Sequence, residues 1–157
     1  MRKTATLQSS IDEFLLSMTA ARKASETIKW YRRRLTSLAN CIGGQKALKS
    51  VTIGDLRRWQ AGLAERDELY TDHPYREPKT GQLSQYTLHG YTRAARILFA
   101  WLVEEGRLET SPAERLELPQ LPREPFKGIA VADMRKIINT AKDNPRNYAL
   151  TLSLIHI

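Results

Sequence analysis

Ser25-Glu26-Thr27-Ile28-Lys29-Trp30-Tyr31-Arg32-Arg33-Arg34-Leu35 and Ser84-Gln85-Tyr86-Thr87-Leu88-His89-Gly90-Tyr91-Thr92-Arg93-Ala94-Ala95-Arg96 open in the same way. In both, a Ser precedes Thr, then an apolar residue, then a Tyr three residues on, and basic residues follow. Ser and Thr favour helix starts, because their hydroxyls accept from backbone N–H groups that have no partner inside the helix. The apolar residues that follow recur at helical spacing. The two stretches therefore predict two similar amphipathic helices, each with cations on its polar side.

Working outward from them, the chain reads as all-α. Leu7, Ile11, Phe14, Leu15 and Met18 share a face of a first helix, about residues 7 to 22, with Asp12 and Glu13 in its early turns. Ser25 is the expected N-cap of a second helix, which runs to about Ile42 on a stripe of Ile28, Tyr31, Leu35, Leu38 and Ile42. Gly43-Gly44 stops it. Thr52-Ile53-Gly54-Asp55 reads as a capping box for a third helix to about Arg66, burying Leu56, Trp59 and Leu63. Residues 67 to 83, with Pro74, Pro78 and Gly81 among many charges, read as a loop. A fourth helix, Gln85 to about Glu105, buries Leu88, Tyr91, Ala95, Leu98, Phe99 and Leu102 and ends at Gly106.

The prolines of Leu118-Pro119-Gln120-Leu121-Pro122-Arg123-Glu124-Pro125 favour extended chain, so 107–127 is expected to be an interdomain linker. The expected organisation is thus 1–106 as one domain, the linker, then 128–151 as the start of a second. There a helix from Ala132 to Ala141 carries Met134, Ile137, Ile138 and Ala141 on one side, and another begins near Arg146 or Asn147. The closing Leu152-Ser153-Leu154-Ile155-His156-Ile157 can be encoded by CTG TCT CTT ATA CAC ATC. That run resembles the transposon end used in sequencing-library adapters, so 152–157 is read as adapter read-through.

Composition narrows the partner. In 157 residues the formal charge is +8 and 41% of residues are hydrophobic, enough for a core. Residues 23 to 35 hold five Lys/Arg and one Glu, so this stretch supplies half of the net charge. Clustered charge of one sign points to a polyanion. No apolar run approaches a bilayer span, and no apolar stretch follows Met1-Arg2-Lys3-Thr4, so neither membrane insertion nor secretion is expected. Cys41 is the single cysteine; it excludes an internal disulfide and a cysteine-based zinc site, fits a reducing cytoplasm, and reads as a small apolar filler. His73 and His89 have no clear ligand partners. No metal, cofactor or small-molecule substrate is expected.

The Ser/Thr-apolar-x-x-Tyr pattern, its second copy followed by Arg96-Ile97-Leu98-Phe99-Ala100-Trp101-Leu102-Val103-Glu104-Glu105-Gly106, resembles the amino-terminal core-binding domain of tyrosine recombinases, the phage-type integrases. Ser111-Pro112 resembles the exit from that domain. Ile129-Ala130-Val131-Ala132-Asp133-Met134 resembles the lead-in and first helix of the catalytic domain, and Asn147-Tyr148-Ala149-Leu150-Thr151 the helix that leads toward the first catalytic arginine. Loop 67–83 is longer than the family's usual loop. The resemblance implies a four-helix, SAM-like bundle that binds double-stranded DNA in integration and recombination, from a bacterial or phage mobile element. It implies a parent that cuts and rejoins strands through a tyrosine, generally as a tetramer on paired sites. It also implies that the catalytic residues lie beyond Thr151: no position here matches the first catalytic arginine, His-x-x-Arg or the nucleophile. Tyr31 and Tyr91 lie on apolar stripes, and Tyr86 is not the nucleophile either.

The expected DNA contacts follow from the helical wheel. Around the second helix, Lys29 and Arg33 point away from Leu35 and Ile42, while Arg32 and Arg34 flank the stripe. Arg34 reads equally as a DNA contact and as a surface ion-pair partner. On the fourth helix His89, Arg93 and Arg96 fall on the polar side, and Thr27 and Thr87 sit in first turns suited to phosphate. The resemblance sets these two helices astride the groove as half of a clamp. Lys46, Lys49, Arg57 and Arg58 read as surface charge. Two other classes compete. A helix-turn-helix regulator needs a tight turn between two short helices, whereas these basic helices lie about sixty residues apart. A helical protein-interaction module would bind its partner without sensitivity to salt.

Overall fold

The computed structural model describes residues 5–69, 75, 77, 79–122 and 128–155. These form two compact units, Met1–Pro122 and Arg123–Ile157. The first unit is a four-helix bundle: α1 (Leu7–Ala20), α2 (Ser25–Ile42), α3 (Ile53–Ala64) and α4 (Gln85–Glu104). A single 3-10 turn, Leu48–Ser50, precedes α3. The expected apolar stripes meet in one core, with Leu7, Ile11, Leu35, Leu38, Leu56, Trp59, Leu98, Phe99 and Leu102 almost wholly buried. Phe14 packs edge-on against Tyr31 and Trp101, at centroid distances of 5.5 and 5.4 Å.

Three helix starts are capped as their residues dictate. Thr6, Thr52 and Ser84 accept from Ser9 N, Asp55 N and Thr87 N, and the first two form complete capping boxes. The start of α2 differs from expectation: Ser25 is its first helical residue, and the N-cap is Ala24, with no side-chain hydrogen bond. Aligning Thr27 with Thr87 shows why. The residue matching Ser84 is Ala24, because Ser25 stands one position too late to reach the third helical N–H.

Asp55 does more than cap. Its carboxylate accepts from Lys46 Nζ at 2.7 Å, from Thr52 N and Oγ1 at 2.9 Å each, and from Arg58 Nη2. It thereby ties α3 to the turn after α2, whose carbonyls at Gly44 and Lys46 accept the first N–H groups of α1 at 2.8 and 3.0 Å. The Lys46 ammonium, followed by the Thr52 N–H, holds this carboxyl well below the usual carboxylate range. Asp55→Ala is expected to cost about 2–3 kcal/mol at neutral pH, from the lost cap and charge-assisted bonds. A carboxylate whose pKa is depressed by folding stabilises fully above its unfolded pKa of about 4 and loses that contribution as pH falls. The difference in urea midpoint between wild type and Asp55→Asn is therefore expected to shrink as pH drops below about 4. A constant difference down to pH 2 would contradict the assignment.

Three further expectations change. Cys41 is exposed and is not a filler, because it lies roughly 120° round α2 from Leu35. Within loop 67–83, Glu68–Leu69 (β1) and Lys79–Thr80 (β2) pair antiparallel, in the register Glu68↔Thr80 and Leu69↔Lys79. His73, Pro74 and Pro78 lie outside the described residues, as do Met1 to Thr4. The linker reading of 107–127 covers too much. Residues to Pro122 cluster with the first unit, Ala113 and Leu116 are buried in its core, and Gln60 Nε2 donates to Glu117 O at 2.9 Å. A turn at Ser111, whose Oγ accepts from Ala113 N, folds these apolar side chains back onto the bundle. The rest of the span, 123–127, lies outside the described residues.

The second unit holds α5 (Val131–Ala141) and α6 (Pro145–Ile155), which pack on each other. Asn144 Oδ1 accepts from Arg146 N and Asn147 N, and Pro145 occupies the first helical position, so α6 starts slightly earlier than expected. No residue of α5 is buried, Ile137 included. Leu152 to Ile155 belong to α6, and residues 156 and 157 lie outside the described residues.

Candidate nucleic-acid interface

Helices α2 and α4 pack directly against each other, and the expected DNA-contacting residues divide between them. On α2, Thr27, Lys29, Arg32 and Arg33 are all exposed. Lys29 Nζ meets Glu26 Oε1 at 2.8 Å, one turn back, and the pair is solvated. Arg32 and Arg33 have no ion pair within 4.0 Å among the described residues. On α4, Arg93 is exposed, whereas Thr87, His89 and Arg96 are half-buried. Thr87 Oγ1 lies 2.9 Å from Ser84 Oγ, so its hydroxyl belongs to the helix start as well as facing outward.

One open groove of about 410 Å³ joins the two helices. It is lined by Glu26, Thr27, Trp30 and Tyr31 from α2 and Arg93 from α4. Of the expected contacts, the structure brings Thr27 and Arg93 together here. Lys29, Arg32 and Arg33 do not line the groove; they extend the positive surface along the outer side of α2. His89, Arg96 and Thr87 lie outside its lining as well.

Beside the groove sits Arg34, whose role the sequence left open. Its guanidinium lies over the Trp30 ring, 3.8 Å from the centroid, and 5.3 Å from the centroid of Tyr91 on α4. Nη1 donates to Trp30 O at 3.2 Å, whereas the buried Nε has no hydrogen-bond partner among the described residues. Among the described residues Arg34 is thus neither an ion-pair partner nor a free surface cation. It is a half-buried cation stacked on Trp30 and close to Tyr91, an arrangement worth about 1 kcal/mol that offsets part of the cost of its unpaired N–H. Burial pulls its pKa down, but an arginine so placed stays charged.

Gly90 makes this approach possible. A Cβ there would stand 3.2 Å from Arg34 Nε and 3.4 Å from Trp30 Cζ2. The missed signal was a glycine inside a strong helical pattern, opposite an aromatic-and-arginine pair one turn apart.

Among the described residues no cluster of His, Cys, Asp and Glu could hold a metal ion, and no helix is long and apolar enough to cross a membrane.

No family model matches the chain. Three of the relatives it matches are tyrosine recombinases XerC. That of Xanthomonas axonopodis pv. citri is 28% identical over 138 residues, covering 87% of this chain and 44% of that protein. That of Xanthomonas campestris pv. campestris is 30% identical over 138 residues, covering 87% and 39%. That of Salmonella typhi is 27% identical over 140 residues, covering 88% and 42%. The chain thus spans about two fifths of the length of these relatives. Among solved structures, an integrase from mycobacterium phage Brujita shares the fold with a TM-score of 0.59 at 14% identity, over 83% of this chain and 39% of that one.

Proposed function

Because the chain belongs to the tyrosine recombinase family, we propose that its first unit is the DNA-gripping part of a site-specific recombinase. The observation that carries this reading is the pair α2–α4. Lys29, Arg32 and Arg33 on one helix and Arg93 on the other are all exposed, and Thr27 and Arg93 line one groove with Glu26, Trp30 and Tyr31. Cations on long, mobile stems pair with phosphates, and Arg93, in the groove lining, carries the guanidinium fork that can read a guanine edge. Thr27 and Thr87, in first turns, add short donors beside helix N-termini, where the dipole favours phosphate. His89 and Arg96 are proposed as flanking backbone contacts.

Cutting and rejoining through a tyrosine is proposed for the parent protein, with α5 and α6 as the opening helices of its catalytic domain. Assembly as a tetramer on paired sites, and work on DNA in the cytoplasm of a bacterial or phage-infected cell, belong to the same proposal.

Titration of the full chain against labelled duplex DNA over a salt series tests the reading. If about five phosphates are neutralised, log K against log salt falls with a slope near -4 to -5. A slope near zero favours a helical protein-interaction module instead.

A further inference from the structure

We propose that Arg34 is a positioning residue of the DNA interface, clamping α2 to α4 through Trp30 so that Arg93 and Thr27 face the same stretch of duplex. The inference rests on the DNA-gripping role proposed above and adds a residue that contacts no DNA itself.

The geometry forms an unbroken chain of contacts. Arg34 stacks on Trp30, its neighbour one turn back on α2, and reaches Tyr91 on α4. Trp30 in turn lines the groove that holds Thr27 and Arg93. Trp30 also meets Tyr31 edge-on at 4.8 Å, so the ring is fixed on both sides. Gly90, opposite the guanidinium, lies one helical turn before Arg93. The spacing of the two helices at this point sets where the Arg93 side chain starts. At that point the stacked pair of Arg34 and Trp30 lies directly against Gly90, both within 3.4 Å of where a Cβ would stand. A planar, weakly hydrated guanidinium can fill this slot; an ammonium cannot stack in the same way. The buried Nε without a partner supports the point. The stacking on Trp30 is what compensates that N–H, so the guanidinium keeps its place only while the ring and the Gly90 gap are both there.

The test measures affinity of the full chain for labelled duplex DNA at one low salt concentration. Arg34→Met, Arg34→Lys and Gly90→Ala are each expected to weaken binding roughly tenfold. In Gly90→Ala the new Cβ crowds the guanidinium and the Trp30 ring, which must give by a few tenths of an ångström, so melting temperature is read beside affinity to separate misplacement from unfolding. Gly62→Ala is the control, because a Cβ there meets nothing within 4 Å, and binding stays unchanged. Combining Arg34→Met with Arg93→Ala is expected to weaken binding hardly more than Arg93→Ala alone, since Arg34 acts through Arg93. Losses that multiply in the double variant, or full binding retained by Arg34→Lys, would show that Arg34 is a direct or purely electrostatic contact and overturn the proposal. A wild-type chain that ignores duplex DNA would remove the DNA-gripping reading and this inference together. A wild type that binds, with multiplying losses, removes this inference alone.

Discussion

Replacing Lys29, Arg32 and Arg33 together with alanine is expected to weaken duplex binding by roughly 100-fold at low salt and to make the log-log salt slope shallower by about 3, close to one unit per phosphate contact. The fold survives this change, and the structure gives the reason. All three side chains are exposed, none lines the groove, and none touches the core. The one ion pair lost, Lys29 to Glu26, is solvated and lies within a single turn of α2. Alanine is the best helix former, so α2 gains intrinsic propensity at three positions. Circular dichroism and melting temperature are therefore expected to stay near wild type while affinity falls. A loss of helical signal would mean that this face of α2 is structural. An unchanged salt slope would mean that the cations are merely solvated.

Trp59→Ala has the opposite signature. The ring is 2% exposed, stands edge-on to Tyr91 at 6.2 Å, and reaches Ser37 Oγ with its Nε1 at 3.4 Å. It is a side chain of α3 that meets both α2 and α4. Truncating a buried tryptophan removes its transfer free energy and leaves a cavity that the neighbouring helices cannot close, costing about 3–5 kcal/mol. For a unit of this size the melting temperature should fall by roughly 10–20 °C. DNA binding at a temperature where the variant stays folded is expected to change far less than in the triple variant, because Trp59 contributes no charge. Trp59→Phe keeps most of the apolar volume and is expected to recover more than half of the loss. A drop in melting temperature of less than about 3 °C for Trp59→Ala would mean that α3 is a loosely attached element.

The two results separate what the bundle needs from what the DNA needs. The same division explains why the sequence was a good guide to the fold and a partial one to the site. Apolar residues at helical spacing named nearly every core position of α1 to α4. The capping box at Thr52 and Asp55 placed the start of α3 to the residue. Each of these signals is local: a hydroxyl three residues before the N–H it accepts, or a stripe repeating within one helix. Where the local count was off by one, as at Ser25, the cap went to Ala24 and carried no side-chain bond. Cys41 fell outside the stripe by the same wheel that placed Leu35 inside it. The linker was overdrawn because the pull of Ala113 and Leu116 toward the core is a long-range effect that prolines nearby do not reveal.

By itself the sequence determined four amphipathic helices and the cationic polar sides of two of them, from which a polyanionic partner is expected, since periodicity and charge are properties of short stretches. Only the tertiary structure decided that Thr27 shares a groove with Arg93 while Lys29, Arg32 and Arg33 stand apart from it, and that Arg34 turns inward. Those outcomes depend on which face of α2 meets which face of α4, on a glycine that admits a guanidinium against a neighbouring backbone, and on a tryptophan ring that receives it. Contacts between residues more than fifty positions apart are set by packing, and no reading of one helix at a time contains them.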